Sequence, residues 1–221
     1  MLWLLGITFS VSATEITVAY RVHTDESWQA TQAIITQAMA RVDPEIELQW
    51  IAMPLKRAEI SLNKGIIDAD TARTQFAYQH SDVVTYPSAP FFRVDYYLYG
   101  RTHVLSPQDY SQVVGLFGDQ FAQKIAQKYQ WNMLWARSES AALSMLQNER
   151  AQAMVGPGVF DDELGGEALS LIRQSEKPIA SVSLFMVFHQ RHAALAKRVG
   201  AVLQSMNDSG TTAAILAKHG L

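Results

Sequence analysis

The chain contains no cysteine in its 221 residues. That absence excludes disulfides, thiolate metal ligands and thiol nucleophiles, and leaves the compartment undecided. Charge is also sparse. Only 18% of residues are charged, the formal net charge is −3, and the two signs are mixed along the chain. No basic stripe is available to neutralise phosphates, so no nucleic-acid partner is expected. The histidines (His23, His80, His103, His189, His192 and His219) show no H-E-x-x-H or related spacing. Neither a metal nor a cofactor is therefore expected. The apolar stretch Leu2 to Val11 is too short to span a bilayer, which takes about 20 residues.

What is present is apolar mass, at 48% hydrophobic residues. This is enough for a buried core and argues against disorder. The length fits one large domain or two lobes of roughly 100 residues each. Residues 1–13 read as a cleaved signal peptide: an apolar run followed by the small residues Val11-Ser12-Ala13. No Lys or Arg precedes the run, although a signal ordinarily carries one there. The expectation is export to the periplasm, with a mature chain beginning near Thr14 or Glu15.

Hydrophobic periodicity then predicts a strand over Glu15–Tyr20, a loop over Arg21–Glu26, and a helix capped by Ser27 and running to about Arg41. Asp43-Pro44 ends it. A strand follows over Glu47–Met53. The next helix has Pro54 in its first turn, Leu55, Ala58 and Leu62 on one face, and Gly65 as its stop. Ile66–Asp70 is read as a third strand, completing a β-α-β-α-β order that predicts a largely parallel sheet.

The same grammar restarts after Ser106-Pro107. Strands are expected over Val113–Phe117, Met133–Ala136 and Ala151–Val155. They alternate with helices over Asp119–Tyr129 and from Ser138 to Gln147. Between the units lies the extended, aromatic stretch Val83–Gly100. Near the end, Ile179–Phe188 is a second extended run, followed by helices His192–Asn207 and Thr211–His219. Two α/β units joined by two extended passages predict two lobes with a cleft between them, where ligands ordinarily bind.

At this point the chain resembles the family 3 extracellular solute-binding proteins, which serve amino-acid-type transporters or periplasmic sensors. The residues that carry the resemblance are Pro54-Leu55-Lys56-Arg57-Ala58 with Leu62, Gly65, Asp68 and Arg73. Two further segments add to it: Leu143 and Leu146 with Glu149-Arg150-Ala151-Gln152-Ala153, and Ser209-Gly210 with Ile215-Leu216-Ala217-Lys218-His219-Gly220. The order and spacing of these motifs cover nearly the whole mature chain. The resemblance implies an α/β, type II periplasmic-binding-protein fold, two α/β lobes joined by two extended hinge strands, Phe92–Tyr99 and Ser181–Phe188. The expected division is residues 14–94 plus 186–221 for the first lobe and 95–185 for the second. It also implies a monomer that takes a small-molecule ligand and serves a membrane permease or a sensor kinase or cyclase.

Arg73 is the leading binding candidate. A guanidinium at the carboxyl end of a parallel strand can grip a carboxylate or phosphate through two parallel hydrogen bonds. Asp70 and Thr71 share that strand end, to touch ligand or to orient Arg73. Arg57 lies in the first turn of its helix, where the helix dipole disfavours a cation and invites an anionic partner. Gly118, Asp119 and Gln120 sit at a strand-to-helix turn whose amides suit an anion, unless Asp119 already caps them. Tyr20, Trp28 and Tyr96, with Phe92 and Tyr97, are candidate cleft walls. Gly156 is counted with them in Val155-Gly156-Pro157-Gly158 at a later strand end.

The chain departs from the amino-acid-binding members at two places. Their carboxylate-binding arginine lies further beyond the third strand, and Gln75–Asp82 holds no arginine. Their ammonium-binding acid falls at Pro157 here, with Asp161 and Asp162 assigned to the next helix. The expected ligand is a small polar solute bearing a carboxylate. An alternative is a periplasmic enzyme on the same fold, such as a cyclic-acid dehydratase, with Asp70 or Asp119 as its acid or base. A third reading, a ligand-sensing domain of a cytoplasmic regulator, fits poorly with the export segment and the lack of a DNA-binding helix pair.

Overall fold

The computed structural model describes residues 14–21, 26–101, 106–158 and 172–221. The expected signal peptide and Asp161 and Asp162 lie outside the described residues. The first lobe is built from β1 (Thr14–Tyr20), α1 (Glu26–Val42), β2 (Ile46–Ala52), α2 (Leu55–Asn63) and β3 (Ala69–Arg73). Its strands run parallel in the order β2-β1-β3. The second lobe repeats the plan with β6 (Gln112–Leu116), α3 (Gln120–Tyr129), β7 (Asn132–Ala136), α4 (Glu139–Gln147) and β8 (Ala153–Pro157). Its strands are also parallel, with β6 between β8 and β7.

Two long antiparallel strands join the halves. β5 (Phe92–Gly100) pairs with β8, and β10 (Ala180–His189) pairs with both β5 and β3. The division of β10 is sharp. Ala180–Leu184 lies against β5, whereas Phe185–Phe188 lies against β3. The two-residue strands β4 (Val84–Thr85) and β9 (Arg173–Gln174) flank them. Helices α5 (Ala193–Asp208) and α6 (Thr211–Lys218) close the chain against α1.

Successive strand residues point to opposite faces, so each sheet feeds two cores. Val18 and Val113 face one continuous core with Ile34, Phe91, Leu98 and Phe188. Their neighbours Ala19 and Val114 face the other side. There Ala19 meets Leu62 and Val187, and Val114 meets Leu146 and Met154. Among the described residues, no helix is long and apolar enough to cross a membrane.

Three local expectations are corrected. Ser27 lies inside α1, which begins at Glu26, so it is not the cap. Pro54 precedes α2 instead of entering its first turn. The third strand is displaced toward the C-terminus, over Ala69–Arg73, because the pairing with β1 begins only where Ala69 meets Val18. Ile66 is 67% exposed and belongs to the turn that follows Gly65, whose φ of +65° suits glycine.

Asp68 is withheld from the strand by side-chain bonding. Its Oδ2 accepts from the Thr17 amide at 2.9 Å, and its Oδ1 accepts from Arg191 Nη2 at 2.7 Å and from His192 Nε2. Arg191 also donates to the Gly65 carbonyl at 2.8 Å. Burial pushes the Asp68 carboxyl up, but the Thr17 amide, Arg191 and His192 outweigh it and hold it below its ordinary value of 3.8. A carboxyl lowered in the folded state contributes stability above its unfolded pKa, and that contribution is lost as pH falls through the folded value. The stability gap between the parent and Asp68→Asn, measured by urea unfolding, should therefore shrink as pH drops below about 4. A gap that stays constant into acid refutes this.

Gly200 in α5 lies close against the chain at Pro87 and Ser88. A Cβ there would stand 2.6 Å from both the Ser88 amide nitrogen and its Oγ. Gly200→Ala should cost about 1–3 kcal/mol by pushing α5 off this segment, read as a lower urea midpoint. An unchanged midpoint contradicts the packing described.

Candidate functional site

A cleft of about 90 Å³ lies between the lobes. The first lobe lines it with Arg21 at the end of β1, Trp28 and Thr31 of α1, Leu55 of α2, and Thr71 to Thr74 around the end of β3. The second lobe adds Gly118, Asp119, Gln120 and Pro157, and the joining strands add Phe92, Val94, Tyr96 and Leu184.

Arg73 stands at the centre of the chemistry. It is the last residue of β3 and is only 2% exposed. A bulge sets its direction: Asp70 to Arg73 takes three steps along β3, whereas its partners Val187 to Phe185 take two along β10. The surplus is absorbed at Ala72, whose φ of +54° is left-handed. For a residue with a Cβ this costs roughly 1–2 kcal/mol. Bulges of this kind re-aim side chains next to sites. Glycine and proline signals would not have revealed this one, because the residue that adopts the turn is alanine.

Beside Arg73, Asp70 is 2% exposed and its Oδ2 lies 3.3 Å from Arg73 Nε. Tyr78 donates to the same oxygen at 2.6 Å, and the Arg73 guanidinium lies 5.4 Å from the Tyr78 ring centre. Burial works against the charge on Arg73, yet Asp70, Tyr78, Glu59 and Tyr86 together outweigh it and hold the guanidinium protonated above its ordinary value. The two partners pull in opposite senses, since burial pushes the Asp70 carboxyl up against Arg73 and Tyr78. The guanidinium is the fixed charge, because arginine does not deprotonate in proteins. Burial likewise raises Tyr78, and it pushes Tyr86 up to about 12. Both phenols remain donors, Tyr86 to the Thr74 carbonyl at 3.1 Å.

Arg73 Nε and Nη2 are buried and have no hydrogen-bond partner. Buried polar groups are normally satisfied, and each exception calls for a cause. Here two orphaned donors belong to a residue that lines a cleft.

The other candidates divide. Thr71 lines the cleft, but its hydroxyl donates to the Ala19 carbonyl at 2.9 Å, tying β3 to β1. Asp119 caps α3, as its position suggested. Its Oδ1 accepts from the Phe121 and Ala122 amides at 3.0 Å, and its Oδ2 accepts from Tyr96 at 2.9 Å. The first amides of α3, those of Phe121 and Ala122, thus answer to Asp119's own carboxylate rather than to an incoming anion, and the Asp119 amide donates to the Leu116 carbonyl at 3.1 Å. Burial, followed by the Asp119 charge, raises the Tyr96 phenol, which keeps its proton. Trp28 lines the cleft, while Tyr20 stacks behind it at 4.1 Å. Asp70 lies behind Arg73. Arg57 is exposed on α2, and Gly156 is buried in β8 opposite Tyr97; neither lines the cleft. Pro157 does.

Sequence reasoning missed Arg21, which it placed in a loop. Arg21 lines the cleft and forms an ion pair across it with Glu139 at the start of α4. Phe76 and Phe121 stack between the lobes, with ring centres 5.9 Å apart. These pairings join residues far apart in sequence and leave no local signal. Among the described residues, no group of three or more His, Cys, Asp or Glu is placed to hold a metal ion.

This architecture is that of known binding proteins. The GluR0 ligand-binding core complexed with L-glutamate matches with a TM-score of 0.72 at 15% identity, over 95% of this chain and 98% of that one. The P235GK mutant of ArgBP from T. maritima matches with a TM-score of 0.72 at 16% identity, over 92% and 94%. A histidine kinase sensor domain with similarity to periplasmic binding proteins matches with a TM-score of 0.70 at 14% identity, over 93% and 95%. No protein-family model matches the chain, and no curated protein matches it in sequence. The chain has the type II periplasmic-binding-protein fold, two α/β lobes joined by two extended strands.

Asp70→Asn keeps the shape but removes the charge beside a buried guanidinium. It should cost about 3–5 kcal/mol in unfolding free energy, the usual range for breaking a buried pair. A loss below about 1 kcal/mol would show that Asp70 does not compensate Arg73.

Proposed function

We propose that the chain is a divergent member of the family 3 extracellular solute-binding proteins, exported to the periplasm, where it captures a small polar solute through a carboxylate. Arg73 carries this reading: a guanidinium 2% exposed at the cleft, with Nε and Nη2 lacking partners. A buried cation with unused donors is expensive unless an anion completes it. A carboxylate offers oxygens spaced for two parallel N–H donors. Residues 14–94 plus 186–221 form one lobe and 95–185 the other, and they close on the solute by hinge motion across β5 and β10. The Arg21–Glu139 pair and the Phe76–Phe121 stack then serve as contacts of closure.

A standard α-amino acid is disfavoured. Pro157 offers an ammonium no charge, and Asp119 already accepts three hydrogen bonds of the roughly four that a carboxylate can take. An enzymatic role is disfavoured on similar grounds. Asp119 is spent as cap and Tyr96 partner, and Asp70 is sealed behind Arg73, so among the described residues no acid and base face a common point in the cleft. The similar structures include both a transport-type binding protein and a sensor domain. The receiving partner is accordingly a permease or a membrane sensor kinase or cyclase.

A thermal-shift screen over amino acids, carboxylates, di-acids, polyamines and sugars tests this reading. Carboxylate hits should raise the melting temperature by mass action. Calorimetry should then show binding abolished in Arg73→Ala and weakened in Arg73→Lys, which keeps charge but loses the two-pronged geometry. Hits confined to cations, or an Arg73→Ala protein that binds the same carboxylate equally well, would sink the proposal.

A further inference from the structure

Away from Arg73 the walls of the cleft are largely apolar. Phe92 and Leu184 are direct partners across β5 and β10, so they face the same side, and Val94 follows two residues along β5 on that face. All three line the cleft, together with Trp28 and Leu55 of the first lobe and Pro157 of the second. Trp28 is fixed in place. It stacks on Tyr20 with ring centres 4.1 Å apart and meets Trp50 edge-on at 5.1 Å. An aromatic wall held in this way offers a large contact area with little side-chain ordering left to do on binding.

The charges around this lining are already engaged. Arg21 pairs with Glu139, and Asp119 accepts from the Phe121 and Ala122 amides and from Tyr96. Asp70 meets Arg73 and Tyr78, while Glu59, whose charge also acts on Arg73, pairs with Lys56 at 2.8 Å. Neither of those two carboxylates lines the cleft. Ser27, Thr31, Thr74 and Gln120 add only neutral polar groups to its walls. Among the described residues, a second carboxylate on the solute would meet no cation in the cleft beyond Arg73 and the paired Arg21. An ammonium would meet an acceptor that already holds three hydrogen bonds. Burying a poorly paired charge costs far more than burying a methylene gains.

We infer that the solute is a monocarboxylate with an uncharged, apolar body, which lies against Trp28 and the face formed by Phe92, Val94 and Leu184 while its carboxylate lies on Arg73. The inference rests on the carboxylate reading above and confines the solute's polarity to that one end. Trp28, Leu55 and Val94 are then the residues that set specificity, by accepting a chain or ring and by offering a second charge no partner.

Calorimetry on the full chain tests this with pentanoate, γ-hydroxybutyrate, γ-aminobutyrate and succinate, and with acetate and phenylacetate as the short and aromatic members. Pentanoate and phenylacetate should bind most tightly, with affinity rising about fourfold per methylene from acetate upward. That comparison needs no variant. Leu55→Asn and Val94→Thr alter half-buried positions with little change in side-chain size, and unchanged melting without solute checks that each is folded. Each should reduce the preference for pentanoate over γ-hydroxybutyrate by about fourfold, the worth of one methylene contact. Arg73-dependent binding in which the ammonium, second-carboxylate or hydroxyl member is tightest overturns the apolar body and leaves the carboxylate reading standing. So does an affinity indifferent to chain length, or a preference that both folded variants leave untouched. If no carboxylate binds, or if Arg73→Ala binds them equally well, both readings fall.

Discussion

The site depends on one buried charge. Arg73 is enclosed at 2% exposure beside the Asp70 carboxylate, with the Glu59 charge also acting on it, and burial pushes Asp70 itself upward. Water cannot solvate such a guanidinium, so protein or ligand must. The fold invests heavily in keeping it there. Ala72 adopts a left-handed conformation, β3 carries an extra residue against β10, and Thr71 fastens the bulged strand to β1. Strain of this kind persists where surrounding structure over-determines it, and such places are usually functional.

The crossing strands explain how that charge comes to face a cleft. β10 changes partner between Leu184 and Phe185, from β5 to β3. The bulge on β3 lies directly beyond this switch, so Arg73 is aimed where the lobes separate. Tyr96 on β5 reaches Asp119 from the same region, placing the cap of α3 opposite Arg73. The far ends of the first-lobe strands are secured differently, by Asp68 with Arg191 and His192. One end of the sheet is thus held by matched charges, whereas the other leaves a charge unmatched at the cleft.

Much of this was legible in advance. Alternation in Glu15–Tyr20 and Val113–Phe117, the breaks at Gly65 and Asp43-Pro44, and the caps at Ser138 and Asp119 are local signals, and each produced an element close to where it was expected. Arg73 was also singled out from its place near a strand end. The errors were local ones with nonlocal causes. The third strand was placed three residues early because Ile66 and Ile67 look like strand formers, yet pairing with β1 begins only at Ala69. Arg57 drew attention through its helix position, but α2 turns that face to solvent.

What the chain's order of residues determined by itself was periodicity and punctuation, and hence the α/β class, the repeated unit and the two extended passages between the repeats. These depend on contacts within a few residues and on which face of an element is apolar. Only the tertiary structure decided which charges are satisfied. Arg21 meets Glu139 across 118 positions and Asp68 meets Arg191 across 123, while Arg73 Nε and Nη2 and Glu59 Oε2 make no hydrogen bond. Burial and pairing are properties of the assembled chain. A sequence shows that an arginine is present, but only the fold shows that two of its donors are left without a hydrogen bond.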